Sequence, residues 1–409
     1  MKSLLCLFDP REDLVCKAIA ILIVLSSITG GILLPQPFYF GSLAVLGLLI
    51  VFNRPRLTIT NGYVLTLLAI CAFSLLMNNP PFYFRAWQRL GVYSMVVLTA
   101  GPIIVGSKAT ILRMKILQYF IYLGALLSIG SFFAYFLGIN LFVRDGEFLE
   151  ISAGRFSGLM NHSMVLGPIA GLSCIYLFIR TINTRRPAYK YVDAVLTILC
   201  LLACFLSASR AAVGATIVGI MVVLFRLYYK RISKFYLLLF VIISVAAATF
   251  PIWGGMTDFL VEKQLGNEAM GSVIYSREQK IDARIQEFLS SPIYGIGYNV
   301  VDPKLDGVII ENGQIEPGSS WFAVASMTGI LGLICFSIIC FRALKRAWGI
   351  ESPFISGLLG GCLVFFFIHL LGEGYIFAPK NCLSLLFWLI IAVIDGCWID
   401  KGAIAKLAL

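Results

Sequence analysis

The sequence predicts an all-α, polytopic membrane protein of about twelve transmembrane helices, and three observations carry that prediction. Of its 409 residues 59% are hydrophobic and only 13% charged, and the mean hydropathy of +0.91 lies far outside soluble globular usage. Apolar runs close to the ~20 residues that cross a bilayer recur along the whole chain. Basic residues gather in every second loop between those runs.

In order, the runs cover 16–34, 36–52, 62–78, 90–105, 116–138, 163–180, 192–208, 211–227, 235–252, 321–341, 353–372 and 382–398. Acidic residues precede the first run and no small-residue cleavage site follows it, so it reads as a retained helix and not as a signal peptide. Basic clusters follow the even-numbered runs: Arg54 and Arg56; Lys108, Arg113 and Lys115; Arg180, Arg185, Arg186 and Lys190; Arg226, Lys230, Arg231 and Lys234; Arg342, Lys345 and Arg346; Lys401 and Lys406. The positive-inside rule then puts both termini in the cytoplasm and the odd-numbered loops outside. The net charge of +11 is mostly this topology signal and points to no nucleic acid. Eleven cysteines imply no disulfide framework, because only Cys382 falls near the outer side of this topology. The chain reads as a single membrane domain, 1–409, containing one large external loop, 253–320.

That loop carries the amphipathic stretch SREQKIDARIQEFLSSPIYGIG. Ser276 followed by Gln279 is a capping-box pattern, and Pro292 disfavours helix just before it, so a helix should run to about Ser290. Ile281, Ile285, Phe288 and Leu289 form its apolar stripe. Arg277 and Arg284 lie seven residues, hence about 20°, apart along the border of that stripe. The helix should lie on the membrane surface or over the bundle, apolar side down, presenting two guanidinium groups suited to bidentate phosphate binding. The competing reading is a surface helix whose arginines meet lipid headgroups or Glu278, Asp282 and Glu287.

Other polar groups fall at the same predicted depth. Arg210 sits in the short outward turn LSASRAAVGA. Arg155, Asn161 and His162 precede the sixth span, Glu316, Gly318 and Ser319 precede the tenth, and Glu373 ends the eleventh. The economical expectation is one outer cavity lined by arginines and one or two carboxylates. The ordinary alternative for each is a solvated loop charge.

The short-turn Ser209-Arg210 pair, the loop pattern R-x(14)-P-x(2)-G-x-G from Arg277 through Pro292 to Gly295 and Gly297, and the following TGILGL resemble, in that order, the bacterial O-antigen ligase and polymerase superfamily of membrane glycosyltransferases. The resemblance spans roughly residues 150–395. It implies a helical bundle related to the C-type glycosyltransferases and a polyprenyl diphosphate-linked glycan donor used at the outer face of the bacterial inner membrane. It also implies that Arg210 and Arg277 contact the donor diphosphate. Arg284 and Arg155 join them as candidates on geometry and position alone. Ligases of this family carry a His-Asn type motif where this chain has EPGSSW; His162 and His369 are its only histidines, and His369 reads as structural. The departure points to the polymerase branch.

The expected chemistry is glycosyl transfer, in which arginines stabilise the charge developing on the diphosphate leaving group. Glu316 is the first candidate for the group that accepts the acceptor's proton, by position, with Glu373 and His162 as alternates. No cofactor and no metal are expected. Asp145 and Glu147 offer a weak D-x-E alternative for a divalent ion, and no Walker, H-E-x-x-H or Cys/His zinc pattern is present. Expected partners are undecaprenyl diphosphate-linked oligosaccharides as donor and acceptor, membrane lipids, and a polysaccharide chain-length regulator. A transporter or flippase would instead concentrate ionisable groups at the midplane and show paired repeats. A scaffold of an export complex would leave the outer polar cluster without a purpose.

Overall fold

Each of the twelve apolar runs forms a helix in the computed structural model, which describes residues 10–30, 34–52, 59–141, 143–144, 147–148, 156–269, 275–306 and 315–400. In chain order these are α1 (Pro10–Ser27), α2 (Gln36–Val51), α3 (Ile59–Asn78), α4 (Ala86–Ala100), α5 (Ser107–Phe136), α6 (Ser163–Asn183), α7 (Pro187–Leu206), α8 (Arg210–Tyr228) and α9 (Ile232–Trp253). Three helices then occupy the predicted loop: α10 (Asp258–Ala269), α11 (Tyr275–Ser290) and the single turn α12 (Pro303–Asp306). The chain re-enters the bundle as α13 (Ser320–Trp348), α14 (Pro353–Gly372) and α15 (Cys382–Ile399). A two-residue antiparallel ladder pairs Val143 with Phe148 and Arg144 with Glu147.

Among the described residues eight helices are long and apolar enough to cross a membrane: α5 to α9 and α13 to α15. Of the other four apolar runs, α1 is more heavily charged, α2 and α4 are shorter, and α3 counts as short because only Gly62–Asn78 of it qualifies. The acidic start of α1 has a structural purpose. Glu12 pairs with Lys108 and Asp13 with Lys115, both at 2.5 Å, tying the beginning of α1 to the beginning of α5. Small residues set helix spacing where hydrophobic burial between helices has little driving force. α8 and α14 approach closely at Gly219 and Gly361, where an added Cβ on Gly361 would lie 2.9 Å from the Gly219 carbonyl oxygen. α15 is the most enclosed span and α9 the least, with none of its apolar window buried. The ten described cysteines are all buried and unbridged.

Candidate functional site

The R-x(14)-P-x(2)-G-x-G pattern has a backbone explanation. α13 is broken at Gly329, whose φ of 66° takes it out of helical geometry. The turn after α11 nests into that break: Ile296 N–H donates to Ser326 O (2.9 Å), and Ile330 N–H donates to Pro292 O (2.8 Å). From α3, the Ser74 hydroxyl donates to Met327 O and the Asn78 amide to Gly295 O, each at 2.8 Å. Backbone groups freed by the kink are thereby satisfied. A Cβ at Gly295 would lie 2.4 Å from the Met327 carbonyl carbon, and one at Gly329 2.3 Å from that of Ile293. Both residues also have positive φ, so glycine is required twice over.

The EPGSSW segment forms a second hub. Ser320 donates through its backbone N–H (3.0 Å) and its hydroxyl (2.6 Å) to Glu373 O, and its hydroxyl accepts from the N–H groups of Tyr375 and Ile376. Ser319 donates to Leu370 O at 3.2 Å. The paired serines therefore fix the end of α14 against the start of α13, which brings Glu316 and Glu373 to one place.

Arg277, on the first turn of α11, reaches both carboxylates. Its Nη1 lies 3.0 Å from Glu316 Oε1 and its Nη2 2.7 Å from Glu373 Oε1. Lys280, one turn on, meets Glu316 Oε2 at 2.5 Å. The two carboxylates differ in setting: the Glu316 side chain is 58% exposed and that of Glu373 10%. Partial burial works to raise the pKa of Glu316, but the Lys280 hydrogen bond and charge and the Arg277 guanidinium outweigh it, leaving the carboxyl below its ordinary value.

Arg210 opens α8 behind the Ser209 cap, whose hydroxyl accepts from Ala212 N–H. Its guanidinium donates to Gln264 of α10. Next to it, Ala211 abuts the end of α14, with its Cβ 3.1 Å from where a Cβ on Gly372 would stand. Glu373 follows immediately, so the start of α8 lies near the segment that carries Glu373, while the Arg210 guanidinium itself is turned to Gln264. Lys280 and Gln264 were missed by sequence reasoning. The signal for Lys280 was its spacing of three from Arg277 on one helical face.

α11 spans the predicted range but is rotated from the expected orientation: of its apolar stripe, Ile281 and Phe288 stay half-buried while Ile285 and Leu289 turn outward. Arg284 is fully buried and pairs with Glu287 at 2.8 Å, while Ile285 and Leu289 are exposed. Residues 277, 280, 284 and 287 form the inward stripe. The expected row of two outward guanidiniums is thus replaced by one: Arg284 is internal, stabilised by Glu287, which also accepts from Asp302 N–H at 2.6 Å. Exposed Ile285 and Leu289 suit contact with lipid.

Arg155 and Asp145 lie outside the described residues, and Glu147 is described only in its backbone. His369 is buried within α14, its Nδ1 2.9 Å from the Tyr375 hydroxyl and its ring stacked on Phe365. His162 caps α6, its Nδ1 accepting from Met164 N–H at 3.0 Å. It does not join the Arg277 cluster. It lines a separate cavity of about 740 Å³ shared with Arg85, Arg89 and Lys380. The expected single outer cavity is therefore two neighbouring places, one built of ion pairs and one open.

Residues 195–337 match the family model described as O-antigen ligase. That segment is about a third of the chain and contains Arg210, Arg277, Glu316 and the Gly329 break in α13, so it bears out the superfamily resemblance carried by those motifs. No curated protein matches the chain.

Proposed function

We propose that this chain, with its O-antigen ligase domain, is a surface-polysaccharide polymerase. It would transfer a glycan from undecaprenyl diphosphate to a second carrier-linked repeat unit at the outer face of the bacterial inner membrane. The observation that carries the reading is the Arg277–Glu316–Glu373 cluster, with the start of α8, which bears Arg210, close to the segment that carries Glu373. A guanidinium held by two carboxylates is preoriented, and the more exposed partner is the one an incoming anion can displace at least cost. A donor diphosphate taking the place of Glu316 on Arg277 would free that carboxylate beside the reacting centre.

The acceptor hydroxyl oxygen then bonds to the anomeric carbon as the bond from that carbon to the diphosphate oxygen breaks. The electron pair leaves on the diphosphate, facing Arg277 and Arg210, and the hydroxyl proton passes to Glu316. Its lowered pKa makes Glu316 a weak base in the free enzyme. A hydroxyl bonding to an oxocarbenium-like carbon becomes acidic, so a weak base suffices. Glu373 is the alternate acceptor, and His162, on the neighbouring cavity, the more remote one.

The family description favours a second reading, ligation of the glycan to lipid A-core. Against it stands EPGSSW, where two serines hold the backbone and no histidine is present. Purified protein supplied only with polyprenyl diphosphate-linked repeat units tests the choice. A ladder of longer glycans is expected; a ladder appearing only after lipid A-core is added makes the protein a ligase.

A further inference from the structure

Two carboxamides on the wall of the large cavity are incompletely satisfied, and in opposite senses. Asn161, in the segment ahead of α6, is pinned: its backbone N–H donates to Ile28 O at 2.8 Å and its Nδ2 to Ser27 O at 3.0 Å. The second bond fixes which way the amide points. It leaves the buried Oδ1 without a donor among the described residues. Asn299 follows Tyr298, whose buried hydroxyl donates to Phe377 O at 2.9 Å. Asn299 is 5% exposed, and its Nδ2 has no acceptor among the described residues. Both asparagines line the cavity.

Buried polar atoms are almost always paired, so an orphan acceptor and an orphan donor on one wall narrow the chemistry of an occupant. An anion can serve Asn299 Nδ2 but not Asn161 Oδ1, and a metal or ammonium ion the reverse. A hydroxyl group both donates and accepts, so a polyol serves the two alike. Gln88 adds a third carboxamide to the wall, and Arg85, Arg89 and Lys380 add N–H donors to hydroxyl oxygens. A neutral occupant places no demand on the net charge of the wall, whatever else those cations meet. The volume of about 740 Å³ is that of a small-molecule pocket and far above the ~30 Å³ share of one water.

Asn299, Ile315 and Ala378 line both this cavity and a smaller one that reaches Pro317 and Gly374. Those last two residues directly follow Glu316 and Glu373 in the chain. An occupant held at Asn299 therefore sits beside the carboxylate cluster and not within it.

We propose that the cavity is a carbohydrate site, which seats the sugar hydroxyls of a repeat unit. Asn161 Oδ1 accepts from one hydroxyl and Asn299 Nδ2 donates to another. The site itself rests on the two carboxamides; its assignment to the acceptor's repeat unit, next to Glu316, rests on the polymerase reading. No bond forms or breaks in the cavity. Arg277 holds the diphosphate, and the cavity selects the sugar presented to it.

The test is a titration of the full-length protein in phosphatidylcholine nanodiscs, followed by saturation-transfer NMR. The probe is the carrier-free repeat-unit oligosaccharide cut from the producing strain's own surface polysaccharide. Saturable binding with a Kd of about 1 mM or tighter is expected. Asn299→Gly should weaken it at least about tenfold. Glycine accepts the left-handed φ of 56° at this position, so the variant removes the amide without straining the backbone. Arg277→Ala and added inorganic pyrophosphate should both leave the binding unchanged. An unaltered protein that binds no oligosaccharide, or an Asn299→Gly protein at full affinity, overturns the proposal and leaves the amides to water. Displacement of the oligosaccharide by pyrophosphate overturns it too, making the cavity an anion site. Binding weakened by Asn299→Gly in a protein that builds no glycan ladder keeps the carbohydrate site and removes the polymerase reading instead.

Discussion

Replacing Arg277 by alanine should both slow transfer and destabilise the protein, and the structure allows the two effects to be separated. Its contact with Glu316 is largely exposed and contributes about 0–1 kcal/mol to stability. The contact with Glu373 is largely buried, and stranding that carboxylate costs about 3–5 kcal/mol at most, less to the extent that Glu373 finds other donors. Loss of a preorganised donor to the leaving-group charge should separately lower kcat by about 10²–10³. The double variant Arg277→Ala with Glu373→Gln removes the stranded charge, so it should regain most of the lost stability and none of the rate. Arg277→Lys should recover part of the rate, because an ammonium keeps the charge and loses the planar fork that spans two oxygens. Glycan ladder formation by purified protein measures the rate, and thermal unfolding in detergent measures the stability. A folded Arg277→Ala protein working within about threefold of the unaltered one would refute the assignment, since that is under 1 kcal/mol of transition-state stabilisation.

Other perturbations probe the surroundings. Glu316 is held below its ordinary value of 4.5, so it stays ionised until pH falls through that lowered value, and its ion pairs are lost only there. Removing the chief cause with Lys280→Met should move the acid limb of the pH–rate profile to higher pH; an unmoved limb would take Glu316 out of the chemistry. Glu316→Gln should cut kcat without weakening donor binding, and unchanged turnover would move the proton acceptor to Glu373. Arg284→Met should destabilise by up to about 3–5 kcal/mol, because buried Glu287 loses its guanidinium and keeps only its remaining donors such as Asp302 N–H, with Arg284→Met plus Glu287→Met milder; a stable Arg284→Met protein that loses only donor affinity would restore Arg284 to the site. Gly329→Ala should unfold the protein or abolish activity, since the Cβ would strike the Ile293 backbone. Cysteines introduced at Glu262 and Arg185 in a cysteine-depleted chain test sidedness: an impermeant reagent on intact cells should label the first and spare the second, and the opposite pattern inverts the topology.

The fold was legible in the sequence because it is written in long apolar runs, and each run became a helix, although α1, α5 and α13 begin or end six to nine residues away from the expected limits. The extent of α11 was legible for a similar reason, Pro292 setting its end at Ser290. Its orientation was not. Periodicity shows which residues share a face and is silent on which face turns inward. In water an apolar stripe goes to the core, but beside a membrane lipid can receive it. Ile285 and Leu289 are accordingly exposed, while Arg277, Lys280, Arg284 and Glu287 turn inward to meet partners that lie far off in sequence or, for Arg284 and Glu287, on the same helix. Glu316 and Glu373 were legible as polar groups at helix ends. That one guanidinium joins them depends on Ser319 and Ser320 tying α13 to α14, a contact between segments some fifty residues apart. The same rotation accounts for the division of the expected cavity. The arginines of α11 meet carboxylates, while Arg85, Arg89 and Lys380 line a separate cavity. Charge that reads as one cluster along the chain is sorted by helix orientation into two neighbouring places, one closed by ion pairs around Arg277 and one that keeps an open cavity of about 740 Å³.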